Sequence, residues 1–146
     1  AIAASIEKLR TTHQAKPASY NMQVFFNAKY QELVDLFKPA DPADAMRMLK
    51  LLSGTTHEVL TGVAVTDGTR MLHDTSISRV RFRDLTEAEI AAYINTGEPM
   101  GKAGSYTVQG LGAIFIERLE GSYSGVMGLP IFETSMLLSR FGVTSV

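Results

Sequence analysis

The residues best suited to chemistry lie in one stretch, Gly97-Glu98-Pro99-Met100-Gly101-Lys102-Ala103-Gly104-Ser105-Tyr106-Thr107-Val108-Gln109-Gly110. Its glycines and proline mark it as a loop, and no apolar period accounts for its polar residues. Glycine lets backbone approach a ligand closely, and the N–H groups of such turns can bind anions. Lys102 supplies a mobile positive charge. Gln109 supplies one acceptor and two donors, a set that matches the edge of a nucleobase. The plain alternative is a helix-to-strand connection that binds nothing, since loops serve both purposes.

The elements that must position this loop are punctuated by capping and turn residues. Asp41 is an N-cap and Pro42 suits a first helical position. Ala45, Met46, Met48, Leu49 and Leu52 then form a helical stripe that Gly54 ends. Residues 57–65 read as a strand, with Val59, Thr61, Val63 and Val65 on one side. Asp67-Gly68 predicts a turn and an antiparallel return over 71–82. On that return Ile77, Arg79, Arg81 and Arg83 share one face, and Ser78, Val80 and Phe82 the other. The arginine row is read as a solvated strand face. Thr86-Glu87-Ala88-Glu89 is a capping box opening a helix that runs to Gly97. Residues 113–119 read as a strand buried on both faces at its start, and 121–125 as a turn. A last helix starts at Gly128-Leu129-Pro130, carries Phe132, Met136, Leu137, Leu138 and Phe141 as its apolar stripe, and is capped by Gly142. The methionines on these stripes read as core fillers. The first quarter is less legible: a weak helix with Ile2, Ile6 and Leu9 ended by Pro17, a short buried strand over 21–26, and a helix over 28–37 with Tyr30, Leu33, Val34 and Phe37 on one face. Interleaved helices and strands with at least one antiparallel pair predict an α/β or α+β domain with a mixed sheet.

Composition bounds the function. The 146 residues suit one domain with a real core, and 45% hydrophobic with 20% charged residues is ordinary for a globular chain. A net charge of −1 argues against a binder of nucleic-acid polymer that works by bulk electrostatics, while leaving room for a small anion in a local basic pocket. Without cysteine there is no disulfide framework or thiolate chemistry, and His13, His57 and His73 show no metal-ligand spacing. No apolar run approaches the roughly 20 residues that span a bilayer. No signal peptide is evident, so a cytoplasmic location is expected. The chain begins at Ala1 rather than methionine, and its true start is expected upstream.

Four motifs in order, Lys38-Pro39, Leu52-Ser53-Gly54-Thr55-Thr56-His57-Glu58-Val59, the 97–110 loop, and Glu120-Gly121-Ser122-Tyr123-Ser124-Gly125-Val126-Met127-Gly128-Leu129-Pro130, resemble the Maf or septum-formation-inhibitor-like family. The resemblance covers about Lys38 to Val143. It implies a nucleoside triphosphate pyrophosphatase that releases the monophosphate and pyrophosphate with a divalent cation, Mg2+ or Mn2+. It also implies an elongated α/β fold like that of inosine triphosphatases, with a mixed twisted sheet, flanking helices and two lobes around a cleft. A homodimer and a link to septum formation follow by the same analogy. Lys38 matches the family's phosphate-facing lysine. Lys102 matches the lysine of its Asp-Lys-Ala-Gly loop, with Gly101 in the aspartate's place. Gln109 matches the glutamine that contacts the base in the subgroup acting on thymidine and uridine triphosphates, and that the 7-methylguanosine subgroup lacks. The expected partner is therefore a pyrimidine nucleoside triphosphate, with no nucleic-acid polymer and no membrane.

The sequence also departs from the pattern. The family's Ser-x-Ser-Pro-Arg-Arg phosphate loop has no counterpart in residues 1–37. At the place of its general-base aspartate stands Asn21 or Met22, according to alignment, and an amide cannot accept a proton as a carboxylate does. Asp35 is near but out of register. The metal ligands are not identifiable. Residues 1–146 are thus read as a single Maf-like domain in which the N-terminal phosphate loop is missing or has diverged. Two functions compete: an enzyme whose activity in this chain is weak or absent, and a non-catalytic nucleotide- or partner-binding relative.

Overall fold

The computed structural model describes residues 23–25 and 38–143. The expected helices over 1–20 and 28–37 lie outside the described residues. Strand β1 (Gln23–Phe25) falls within the expected 21–26 strand. Helix α1 (Pro42–Leu52) begins where the caps predict: the Asp41 carboxylate accepts from Asp44 N–H at 2.8 Å, and Pro42 occupies the first turn. Ala45, Met48 and Leu49 are its buried face, and Gly54, at φ 66°, reverses the chain after it. Strands β2 (Thr56–Thr66) and β3 (Met71–Phe82) form a long antiparallel hairpin in which Thr66 opposes Met71. Its turn is fastened by Asp67, whose carboxylate accepts from the N–H groups of Thr69 and Arg70.

Helix α2 (Glu87–Asn95) carries the full capping box, Thr86 and Glu89 each accepting from the other's backbone N–H. Short 3-10 turns at Ala103–Ser105 and Leu111–Phe115 lead into β4 (Ile116–Glu120). Helices α3 (Tyr123–Met127) and α4 (Ile131–Ser139) complete the order. The result is an α/β domain whose sheet runs β1-β2-β3-β4. Among the described residues every strand pairing is antiparallel, where the sequence led to the expectation of a mixed sheet.

Two apolar clusters sit on the sheet. Leu49, Val80, Phe82, Ile90, Tyr93, Tyr106 and Phe115 bring α1, α2 and the loop together. Val63, Val65 and Leu137, with Leu72, Leu138 and Phe141, bind α4 to the hairpin. Burying each such side chain stabilises by about 1.5–3 kcal/mol. The arginine row is solvated as expected. Arg79 pairs with Glu58 and Arg81 with Glu117, each at 3.2 Å, and Arg83 pairs with Glu89 at 2.7 Å.

Three segments differ from the sequence reading. Residues 113–115 are not strand but 3-10 turn, and Ile114 is exposed. The amides of Leu111 and Gly112 are taken by the Glu98 carboxylate, and Ala113 N–H by Gly110 C=O, so strand pairing starts only at Ile116. Residues 121–125 do not merely turn the chain. Ser122 Oγ accepts from Gly125 N–H and starts helix α3. On α4 the buried residues are Thr134 and Leu137, with Leu138 and, just past the helix, Phe141 partly buried beside them, whereas Phe132 and Met136 are 69% and 52% exposed. The Thr134 hydroxyl holds that place on the inner face by donating to Pro130 C=O at 2.7 Å. Of the methionines, Met48 fills the core as expected, while Met127 and Met136 stand about half exposed.

Candidate functional site

Lys38 lies at the head of α1, its side chain exposed beside the buried Pro39. The segment is fixed from below: Ala40 N–H donates to Asp44 Oδ2 at 3.0 Å, and the same carboxylate holds Arg47 at 2.7 Å. The Gly97–Gly110 loop packs against α1, with Ser105 Oγ 3.0 Å from Met48 Sδ. Ser105 is fully buried at φ 62°, next to Gly104 at φ 70°. A serine there is strained by about 1–2 kcal/mol, a cost offset by the packing around it. Lys102 immediately precedes this turn, and its carbonyl accepts from Ser105 N–H at 3.1 Å. Lys102 and Gln109 are both exposed, while Tyr106 and Val108 between them are buried. The structure therefore puts Lys102 and Gln109 on one anchored loop, and Lys38 at the head of the helix that loop packs against. Asn21, Met22 and Asp35 lie outside the described residues.

The group that shapes the loop is Glu98. Its Oε1 accepts from Tyr93 Oη at 2.7 Å, Thr107 Oγ1 at 2.5 Å and Gly112 N–H at 3.0 Å, and its Oε2 accepts from Leu111 N–H at 2.9 Å. Burial alone would raise its pKa; the hydrogen bonds from Thr107, Gly112, Leu111 and Tyr93 outweigh this and lower it to about 2. Tyr93 is raised in turn, by burial first and then by the neighbouring Glu98 charge. The sequence carried a signal for this role. An acid just past a helix C-terminus opposes the helix dipole, so a carboxylate in Gly97-Glu98-Pro99 calls for local donors.

His57, on β2, is the second group that the sequence left without a role. Its Nε2 meets Tyr106 Oη at 2.8 Å, and its ring sits edge-on to Phe82 and Tyr106. Burial lowers its pKa to about 4, so it is neutral at pH 7. It serves the loop as a prop beneath Tyr106. Among the described residues no three His, Cys, Asp or Glu side chains cluster as metal ligands. No helix among them is long and apolar enough to cross a membrane.

Residues 12–141 match the family model described as Maf-like protein. The chain belongs to the Maf family. This Maf chain is 61% identical over 105 residues to the dTTP/UTP pyrophosphatase of Cupriavidus pinatubonensis, a match covering 72% of the chain and 52% of the relative. It is 58% identical over 105 residues to the dTTP/UTP pyrophosphatase of Aromatoleum aromaticum, covering 72% and 51%. It is 56% identical over 108 residues to that of Pasteurella multocida, covering 74% and 54%. The chain thus spans about half the length of the curated relatives it matches. The expected family and α/β class are both met.

Proposed function

We propose that this Maf chain belongs to a nucleoside triphosphate pyrophosphatase acting on dTTP and UTP. Water attacks the α-phosphorus, the bond to the bridging oxygen breaks, and the monophosphate and pyrophosphate leave. The observation that carries the reading is the exposed Gln109 on a loop fixed from within by Glu98, in a chain that over 105 residues is 61% and 58% identical to two proteins named for that activity. In this proposal Gln109 reads the pyrimidine edge through its paired donor and acceptor. Lys38 and Lys102 face the phosphates and offset the charge that grows on the leaving pyrophosphate. Asn21, or Met22, stands at the position of the general base, where neither side chain accepts a proton as a carboxylate does. A divalent cation, Mg2+ or Mn2+, would supply further charge neutralisation when bound. Residues 1–146 act as one Maf-like domain. Cytoplasmic location, homodimerisation and a link to septum formation complete the proposal on family analogy.

The test is release of pyrophosphate from dTTP, UTP and 7-methylguanosine triphosphate in the presence of magnesium. Weak release from the first two is expected, since no carboxylate stands at the base position. Gln109→Ala should erase the preference for pyrimidines, and Lys38→Ala should slow turnover by about 10²-fold, the scale for losing one electrostatic stabiliser. A folded chain that releases none from any of the three refutes the pyrophosphatase reading and leaves a nucleotide- or partner-binding module.

A further inference from the structure

We propose that Glu98 is the positioning residue of the base-reading loop: by gathering Tyr93, Thr107, Leu111 and Gly112 it fixes the backbone from which Gln109 projects, and so sets base selectivity without touching the nucleotide. The role in selectivity rests on the pyrimidine reading of Gln109 above. The geometry is that of a staple. Thr107 and Gly112 lie on either side of Gln109 in sequence, and both donate to Glu98 Oε1, at 2.5 and 3.0 Å. Leu111 N–H closes the same arc on Oε2. Tyr93, 4% exposed and packed edge-on to Phe115, ties the carboxylate to the core. A Cβ added at Gly110 would lie 2.6 Å from both Glu98 oxygens and 2.3 Å from Thr107 Oγ1, so the chain passes the carboxylate at a distance only glycine permits. Val108 is buried on the inner side of the arc while Gln109 is exposed. The arc therefore fixes which side chain faces outward.

A carboxylate is the side chain that suits this place. All four partners are donors, and a carboxylate accepts on both oxygens. Glu98→Gln keeps the size but turns one oxygen into an NH2 group, which then faces at least one N–H or O–H with nothing to accept its proton. A hydrogen bond to a charged group is worth more than a neutral one, and an orphaned donor adds to the loss.

Two measurements decide the proposal. In Glu98→Gln, amide exchange at Leu111 and Gly112 should quicken by about tenfold or more, with the β2–β3 hairpin unchanged as the internal reference. Unchanged protection at both amides overturns the proposal whatever the chain's activity. The second compares kcat and KM for dTTP and GTP in the unaltered chain, Glu98→Gln, Gln109→Ala and the double variant. The expected result is a KM for dTTP raised about tenfold in Glu98→Gln, kcat within about threefold, and a double variant no less selective than Gln109→Ala alone. A Glu98→Gln protein that keeps its pyrimidine preference, or that loses kcat and KM alike for both nucleotides, overturns the positioning role. An unaltered chain that turns over neither nucleotide removes the pyrophosphatase reading and with it the role in selectivity. The exchange measurement still decides whether Glu98 holds the loop.

Discussion

Two glycine-rich connections, Gly97–Gly110 and Gly121–Pro130, are held in opposite ways. The first is gathered around a charge, with four donors converging on the Glu98 carboxylate. The second is stitched by neutral hydroxyls. Ser78 Oγ accepts from Ser122 N–H at 2.9 Å, Thr61 Oγ1 donates to Gly125 C=O at 2.8 Å, and Ser124 Oγ accepts from Ile131 N–H at 3.1 Å. The difference has a functional consequence. Where one acid of the loop gathers its backbone, Lys102 and Gln109 stay free to face solvent. Where the connection's own serines do the stitching, Ser122 and Ser124 are spent on the fold. The first arrangement suits a binding loop and the second a structural corner.

The comparison can be broken most forcibly at the second connection. Gly121 sits at φ 111°, and a Cβ there would lie 2.7 Å from Ser78 Oγ and 2.9 Å from Ile77 C=O. Gly121→Ala should destabilise the chain by about 4 kcal/mol, from backbone strain and overpacking together, as measured by denaturant unfolding. A cost below ~1 kcal/mol would show that the corner yields where the close approach says it cannot.

Acid should separate the two regions next. His57 lies under the charged loop with a pKa near 4 folded against 6.5 unfolded. At pH above 6.5 it is neutral in both states and costs nothing. As pH falls from 6.5 toward 4 the unfolded chain binds the proton first, and stability declines by up to about 3 kcal/mol. Glu98, lowered from 4.5 to about 2, contributes stability above pH 4.5 that fades as pH falls toward 2. The Ser78–Ser122 corner has no group of this kind. His57→Gln should flatten the decline between pH 6.5 and 4, and an unchanged slope in unfolding free energy against pH would refute the assignment.

The smallest expected effect sharpens the contrast. Ser78→Ala leaves the Ser122 N–H without its acceptor in a part-buried site and should cost about 2 kcal/mol at any pH from 4 to 8. A strongly pH-dependent loss would mean that the corner is electrostatic after all.

Local chemistry made several elements legible before the fold was known. Asp41-Pro42 and Thr86 with Glu89 announced their helices because a cap is satisfied within a few residues. The 56–66 and 71–82 hairpin was readable from period-two alternation and Asp67-Gly68. The outward Arg79, Arg81 and Arg83 row followed from the same alternation. Residues 113–115 were misread because their apolar run looks like a strand, while Glu98 of the preceding loop captures the Leu111 and Gly112 amides and Ala113 N–H turns back to Gly110 C=O. Phe132 and Met136 were misread because composition alone cannot phase a short helix against a sheet.

Of the candidate site, residue types alone picked out Lys102 and Gln109 as polar groups that no apolar period explained, whereas Lys38 came only from the resemblance to the Maf family. The sequence by itself determined the helices, the hairpin and the loop's capacity for hydrogen bonding, since those depend on neighbours along the chain. Only the tertiary structure decided that Glu98 sits inside the loop, that His57 props Tyr106, and that Val108 turns inward and Gln109 outward. These depend on which donors and rings meet across long stretches of chain, and a local pattern holds no record of that.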